Sequence, residues 1–195
     1  MSILKPEKYI ELLNNYFYSF PVDIEGSGEA AAAGEDRFNA EQKMYLLLQS
    51  EHWKNFYNLL ARIQGIRKIR EFQPTRHSIK ILCALENSMI NGIGMYLSLL
   101  GDFYGLYYIT ESSTEHVEYF GKEFGADLSY VPLTDQQKKI STLIEELIAK
   151  HFPAFQKFDN KWADYPVQMP MDLNFEEKST LFKVFFEKDP GGIFF

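Results

Sequence analysis

The chain has 195 residues, 46% of them apolar and 24% charged, which suits a single globular domain whose core needs no disulfide or metal to hold it. Its formal charge of −7 argues against a general binder of nucleic acid or anionic membranes, because both interactions rest on Lys and Arg meeting phosphates. One cysteine, Cys83, excludes an intrachain disulfide and points to a reducing compartment, the cytoplasm.

Pro6 to Phe20 reads as a first helix: Pro6 suits a first turn, and Tyr9, Leu12, Leu13, Tyr16 and Phe17 fall at helical spacing. Residues 25–36, rich in Gly, Ala and Glu, read as a flexible acidic loop within the one domain. Asn39-x-x-Gln42 has the form of a capping box, with Met44, Leu47 and Leu48 inward on the helix that follows. Ser50 is placed to cap another, in which Trp53, Phe56, Tyr57, Leu60 and Ile63 form an apolar stripe and Gly65 is a stop. Ile66 to Phe72 fits either a continuing helix or an extended segment, and Pro74 ends both.

The centre reads as an antiparallel meander of Ser78–Ile90, Ile93–Leu100 and Phe103–Thr110. Ile79, Ile81, Cys83 and Leu85 alternate, while Asn91-Gly92 and Gly101-Asp102 are tight-turn signals. The uncharged run Asn87–Gly101 is too short to span a bilayer, so it belongs to this sheet. Two-residue turns would put Met95, Leu97 and Leu99 on one face with Tyr104, Leu106 and Tyr108. They would also set Glu86 opposite Leu97, a conflict that a bulge or longer loop near Asn87 would relieve.

Ser112-x-x-Glu115 predicts a short helix ending near Gly121 or Gly125, and Asp127 to Pro132 an edge strand. Thr134-x-x-Gln137 opens the clearest helix, with Ile140, Leu143, Ile144, Leu147 and Ile148 as its buried face and Pro153 beyond it. Phe155, Phe158 and Trp162 lie in an aromatic stretch with no assigned element. Asn174-x-x-Glu177 predicts the cap of a last helix carrying Leu181, Phe182, Phe185 and Phe186. The fold class is therefore α+β, an antiparallel meander packed against amphipathic helices.

No catalytic residue, metal ligand or cofactor site emerges from spacing. His52, His77, His116 and His151 are too far apart in sequence for a local zinc pattern. Cys83 sits among isoleucines, as a small packing residue does. Glu145-Glu146 and Glu176-Glu177 are adjacent on helices and point about 100° apart, so neither is a two-carboxylate site. Arg62, Arg67, Lys68, Arg70, Arg76 and Lys80 form one basic cluster. It would serve a nucleic-acid adaptor only if all six side chains shared a face, and the net charge favours a structural role instead.

Seventeen Phe and twelve Tyr imply a large aromatic core, an aromatic contact surface, or both. Late in the chain, Trp162, Tyr165, Asp172, Glu176 and Glu177 combine aromatic and acidic side chains, the mixture of a protein-binding face. Across Ser78–Ile109, and above all Met95-Tyr96-Leu97-Ser98-Leu99-Leu100-Gly101-Asp102-Phe103-Tyr104, the chain resembles bacterial immunity proteins of polymorphic toxin systems. The likeness covers about a sixth of the chain and carries no diagnostic motif, so no functional residue transfers with it. It implies a cytoplasmic, non-enzymatic protein that binds one basic toxin domain and occludes its active site. The competing expectation is an enzyme assembled from distant groups, such as His77 or His116 with Glu and Tyr partners.

Overall fold

The computed structural model describes residues 5–17, 42–72, 78–85, 91–111, 117–119, 122–124, 126–167 and 179–186. It is α+β, as expected. The sheet runs in the order β1 (Lys68–Glu71), β2 (Ser78–Ala84), β3 (Gly92–Ser98), β4 (Phe103–Glu111) and β7 (Ala126–Ser129), each antiparallel to its neighbour. A two-residue strand, β8 (Gln156–Lys157), joins β4 in parallel. Strands β5 (Val117–Tyr119) and β6 (Lys122–Phe124) form a separate hairpin, and β9 (Pro166–Val167) pairs with β10 (Ser179–Thr180). Among the described residues no helix is long and apolar enough to cross a membrane.

Helices cover the sheet on both sides. One layer holds residues 42–49 (α2), α3 (Glu51–Ala61) and α4 (Asp135–His151). The expected stripes supply its buried side chains: Trp53, Phe56 and Leu60 from α3, and Ile140, Ile144 and Ile148 from α4. They meet Ile79, Ile81, Cys83, Ile93, Met95, Leu97 and Leu106 of the sheet. The pairings Leu97↔Tyr104, Met95↔Leu106 and Ile93↔Tyr108 put the meander residues on this one face, as their alternation predicts. Leu143 departs from expectation and is exposed.

The caps at Ser50 and Thr134 form as read from the sequence, while Asn39 lies outside the described residues. Ser50 Oγ accepts from Trp53 N at 3.0 Å. Thr134 Oγ1 accepts from Gln137 N at 3.1 Å, and Gln137 Oε1 accepts from Thr134 N and Leu133 N. Gln137 does more than close a capping box. Its buried Nε2 donates to the carbonyls of Ile109 (2.8 Å) and Gly92 (3.3 Å), tying the start of α4 to β3 and β4. Gln137→Leu is expected to cost about 1–3 kcal/mol, because it leaves buried backbone groups without partners. Urea titration measures it, and an unchanged midpoint would show that the contact with the sheet contributes nothing.

The opposite layer is aromatic. It holds α1 (Pro6–Phe17), α5 (Leu181–Phe186) and a 3-10 turn at Asn160–Trp162. Tyr9 packs on Phe103, Phe158 and Phe185 with ring centroids 5.0–5.7 Å apart. Phe182 lies 4.7 Å from Phe186 and 5.4 Å from Tyr96. The sheet makes room for these rings with glycine. A methyl group on Gly94 would fall 2.6 Å from the Tyr107 hydroxyl, and one on Gly105 would press on the Phe186 ring at 3.1 Å. Tyr107 in turn donates to the Tyr96 hydroxyl at 3.0 Å. Burial, followed by the neighbouring Tyr96, holds the Tyr107 phenol well above its ordinary pKa, so it stays protonated and able to donate.

Several expectations are corrected. Asn91-Gly92 is not a two-residue turn: Gly92 is already in β3, paired with Ala84, and Leu85 N donates to Asn91 O. The connection is therefore longer, which is the relief the Glu86 conflict required. Gly101 and Asp102 do take positive φ (77° and 51°), inside a four-residue loop closed by the Ser98↔Phe103 pair, so Leu99 lies in the loop and not on the expected strand face. Ile66–Phe72 resolves into strand, since β1 extends the sheet beside β2. The helix expected after Ser112 is absent from 117–119 and 122–124, which are strands, with Val117 paired to Phe124. The last helix begins at Leu181, where Thr180 Oγ1 accepts from Lys183 N at 3.2 Å. Asn174–Glu177 and the loop at 25–36 lie outside the described residues.

Candidate functional site

The segment after α4 builds the surface that carries Trp162 and Tyr165. Phe152 ends the helix, with its N–H on Ile148 O, and the chain turns back along β4. Gln156 N donates to Asp102 O and Phe158 N to Tyr104 O, both at 2.8 Å, and the Phe158 ring is buried. Asp159 then caps the 3-10 turn through Lys161 N, while its own N–H donates to the Tyr9 hydroxyl at 3.1 Å. Asn160 Nδ2 donates to Leu106 O (2.9 Å) and Tyr130 O (3.1 Å). On the far side, Leu181 N and Phe182 N donate to Tyr165 O and Ala163 O. Residues 159–165 are thus fixed by α1, β4, the Tyr130 segment and α5.

This frame brings Trp162 and Tyr165 together. Their rings meet edge to face at 6.0 Å, and Lys161 Nζ lies 5.1 Å from the Trp162 centroid. Trp162 is partly buried against the aromatic core, and Tyr165 is 37% exposed. Carboxylates border the pair. Asp159 holds Lys161 at 2.8 Å, and Asp164 accepts from the Tyr130 hydroxyl at 3.3 Å. Beyond Tyr130 the loop presents Val131 and Leu133, 64% and 42% exposed. Pro132, Leu133, Thr134, Asp135 and Lys138 line an open groove there of about 560 Å³. Sequence reasoning found the aromatic pair but missed Val131 and Leu133, since a short apolar run beside a strand reads as sheet. Asp172, Glu176 and Glu177, expected on the same face, lie outside the described residues.

The basic cluster does not form one surface. Lys80 is 2% exposed and points from β2 into the aromatic layer, 5.9 Å from the Tyr96 centroid. Lys68 and Arg70 are exposed on edge strand β1, with Arg70 stacked over Phe72 at 4.7 Å. Arg76 lies outside the described residues. A six-residue phosphate-binding face is thereby lost, because one of its members is inside.

Chemistry-bearing groups are sparse elsewhere. Cys83 is buried, and burial pushes its thiol up to about 12, far from a reactive thiolate. His77 and His116 lie outside the described residues. His52 and His151 do come together, with ring centroids 5.0 Å apart, across a separation of 99 positions that no local spacing rule detects. Among the described residues no three His, Cys, Asp or Glu side chains converge as a metal site. No protein-family model matches the chain, and neither a curated protein nor a solved structure matches it.

Proposed function

We infer that the chain is a non-enzymatic binding protein, an immunity protein that neutralises one cognate bacterial toxin by covering its active site. The observation that carries this reading is the aromatic pair Trp162 and Tyr165 on a backbone tied to its neighbours, with Asp159 and Asp164 in the same segment and exposed Val131 and Leu133 following Tyr130, which Asp164 engages. Aromatic side chains whose backbone is already fixed lose little entropy on binding and make strong contacts. Bordering carboxylates, on a chain of net charge −7, suit a basic partner and speed its approach. The likeness of the meander to immunity proteins supplies the biological setting.

The test is to read the coding region beside this chain for a toxin domain and, where one is found, to measure a rate series against it; a neighbourhood without one counts against the reading. Tyr165→Ala is expected to raise the dissociation rate, costing about 2 kcal/mol or roughly thirtyfold in Kd. Asp164→Lys and Asp159→Lys should slow association at low salt, an effect that fades as salt screens the charges. Thermal unfolding of each variant separates lost binding from lost folding. If the toxin does not bind, or if only substitutions at Lys68 and Arg70 weaken it, the reading is wrong.

A further inference from the structure

His52 is the second residue of α3 and His151 the last of α4. Their rings are 5.0 Å apart and tilted by 50°, and His52 Nε2 contacts the His151 carbonyl oxygen. Aromatic rings frame the pair. Phe56 lies 6.0 Å from His151, and Phe152 stands edge-on to His52 at 5.3 Å. Both ring nitrogens of His151 are shielded from solvent and have no hydrogen-bond partner among the described residues. A neutral imidazole tolerates such a place far better than an imidazolium, whose two N–H groups would be buried unpaired.

The charged groups around the pair add to this. On α4, Lys150 is next in sequence to His151 and is a like charge once the ring is protonated. On α3, Glu51 is engaged by Lys54 at 2.6 Å. Residues 152–155, which follow α4, contribute no charge. The α4 C-terminus would favour a cation, yet the carbonyl that ends it already meets His52.

We propose that His52 and His151 form an acid-released clasp between α3 and α4, closed while the His151 ring is neutral and opened when it takes up a proton. The consequence reaches beyond the two rings, because α3 and α4 together cover one face of the sheet. Desolvation, then His52 and Lys150, lowers the pKa of His151 from its ordinary 6.5. The unfolded chain therefore binds that proton more readily than the folded one. Stability from the clasp is complete above pH 6.5 and declines as pH falls below it, until the folded-state midpoint is passed. Each unit by which that midpoint sits below 6.5 weakens closure about tenfold at acid pH.

The experiment follows the His151 ring resonance by NMR from pH 8 to 5, with thermal unfolding over the same range. The wild-type ring should titrate below 6.5, and His52→Gln should move its midpoint upward by removing the neighbouring imidazole that lowers it. His151→Phe should show a smaller loss of Tm between pH 7.5 and 5.5 than the wild type. Hydrogen-exchange protection at the end of α4 should fall with acid in the wild type and stay level in that variant. A wild-type midpoint at or above 6.5, or an equal loss of Tm in His151→Phe, overturns the proposal. Should His151→Phe not fold, the titration of the wild-type ring still decides it.

Discussion

Gly94→Ala is expected to cost about 3–5 kcal/mol of folding stability, an unusually large effect for adding one methyl group. The residue lies in the middle of β3, opposite Tyr107 of β4, and the Tyr107 ring lies across it. A Cβ at Gly94 would stand 2.5 Å from Tyr107 Cε1 and 2.6 Å from its hydroxyl oxygen, well inside contact distance. The ring is fully buried among other rings. It packs on Tyr96 at 5.0 Å and on Phe182 at 6.3 Å, and its hydroxyl is engaged with that of Tyr96. Overpacking alone costs about 1–3 kcal/mol. Displacing Tyr107 also breaks a buried hydrogen bond between two phenols, adding about 1–3 kcal/mol for groups left unsatisfied. Denaturant unfolding of Gly94→Ala, Tyr107→Leu and the double variant forms the cycle that checks this. The alanine should cost much less once the phenol is gone, and strict additivity would rule out the interlock.

Phe182→Ala should cost about 3–5 kcal/mol and lower Tm by roughly 6–20 °C. Phe182 is 1% exposed and is the hub of the aromatic layer, touching Tyr96, Tyr107, Tyr130, Phe158 and Phe186. Helix α5 is only six residues long, too short to persist without docking. Removing its central ring should therefore release the helix as well as open a cavity, visible as new protease sites near 179–186. Ile144→Ala, on the other side of the sheet, should lower stability by about 2–5 kcal/mol but leave α5 protected. Because the two positions belong to separate clusters on opposite faces, the double variant should be additive to within about 0.5 kcal/mol. Strong coupling between them would mean that the sheet does not insulate its two layers.

The sequence by itself determined what local chemistry can determine. Ser50 and the Thr134–Gln137 box mark their helices because a side-chain oxygen three positions before a free N–H is a purely local arrangement. The stripes of α3 and α4 and the shared face of Met95, Leu97, Tyr104 and Leu106 were legible because one apolar face repeats at 3.6 or 2 residues. Tertiary structure decided the rest. The second face of the sheet carries Ser78, Lys80, Gly94, Ser98 and Gly105, small or polar residues with no apolar period of their own, yet Ser78, Lys80 and Ser98 are buried. It becomes a core because α1 and α5 bring large rings, and small residues are what rings pack against. Strand β1 has no apolar alternation strong enough to announce it, and exists because β2 offers an edge to pair with. Tyr9 beneath Asp159, Asn160 bonded to Leu106 and Tyr130, and His52 against His151 join positions 30 to 150 residues apart. Periodicity reports which side of an element is buried; only the packed chain decides which distant groups meet there.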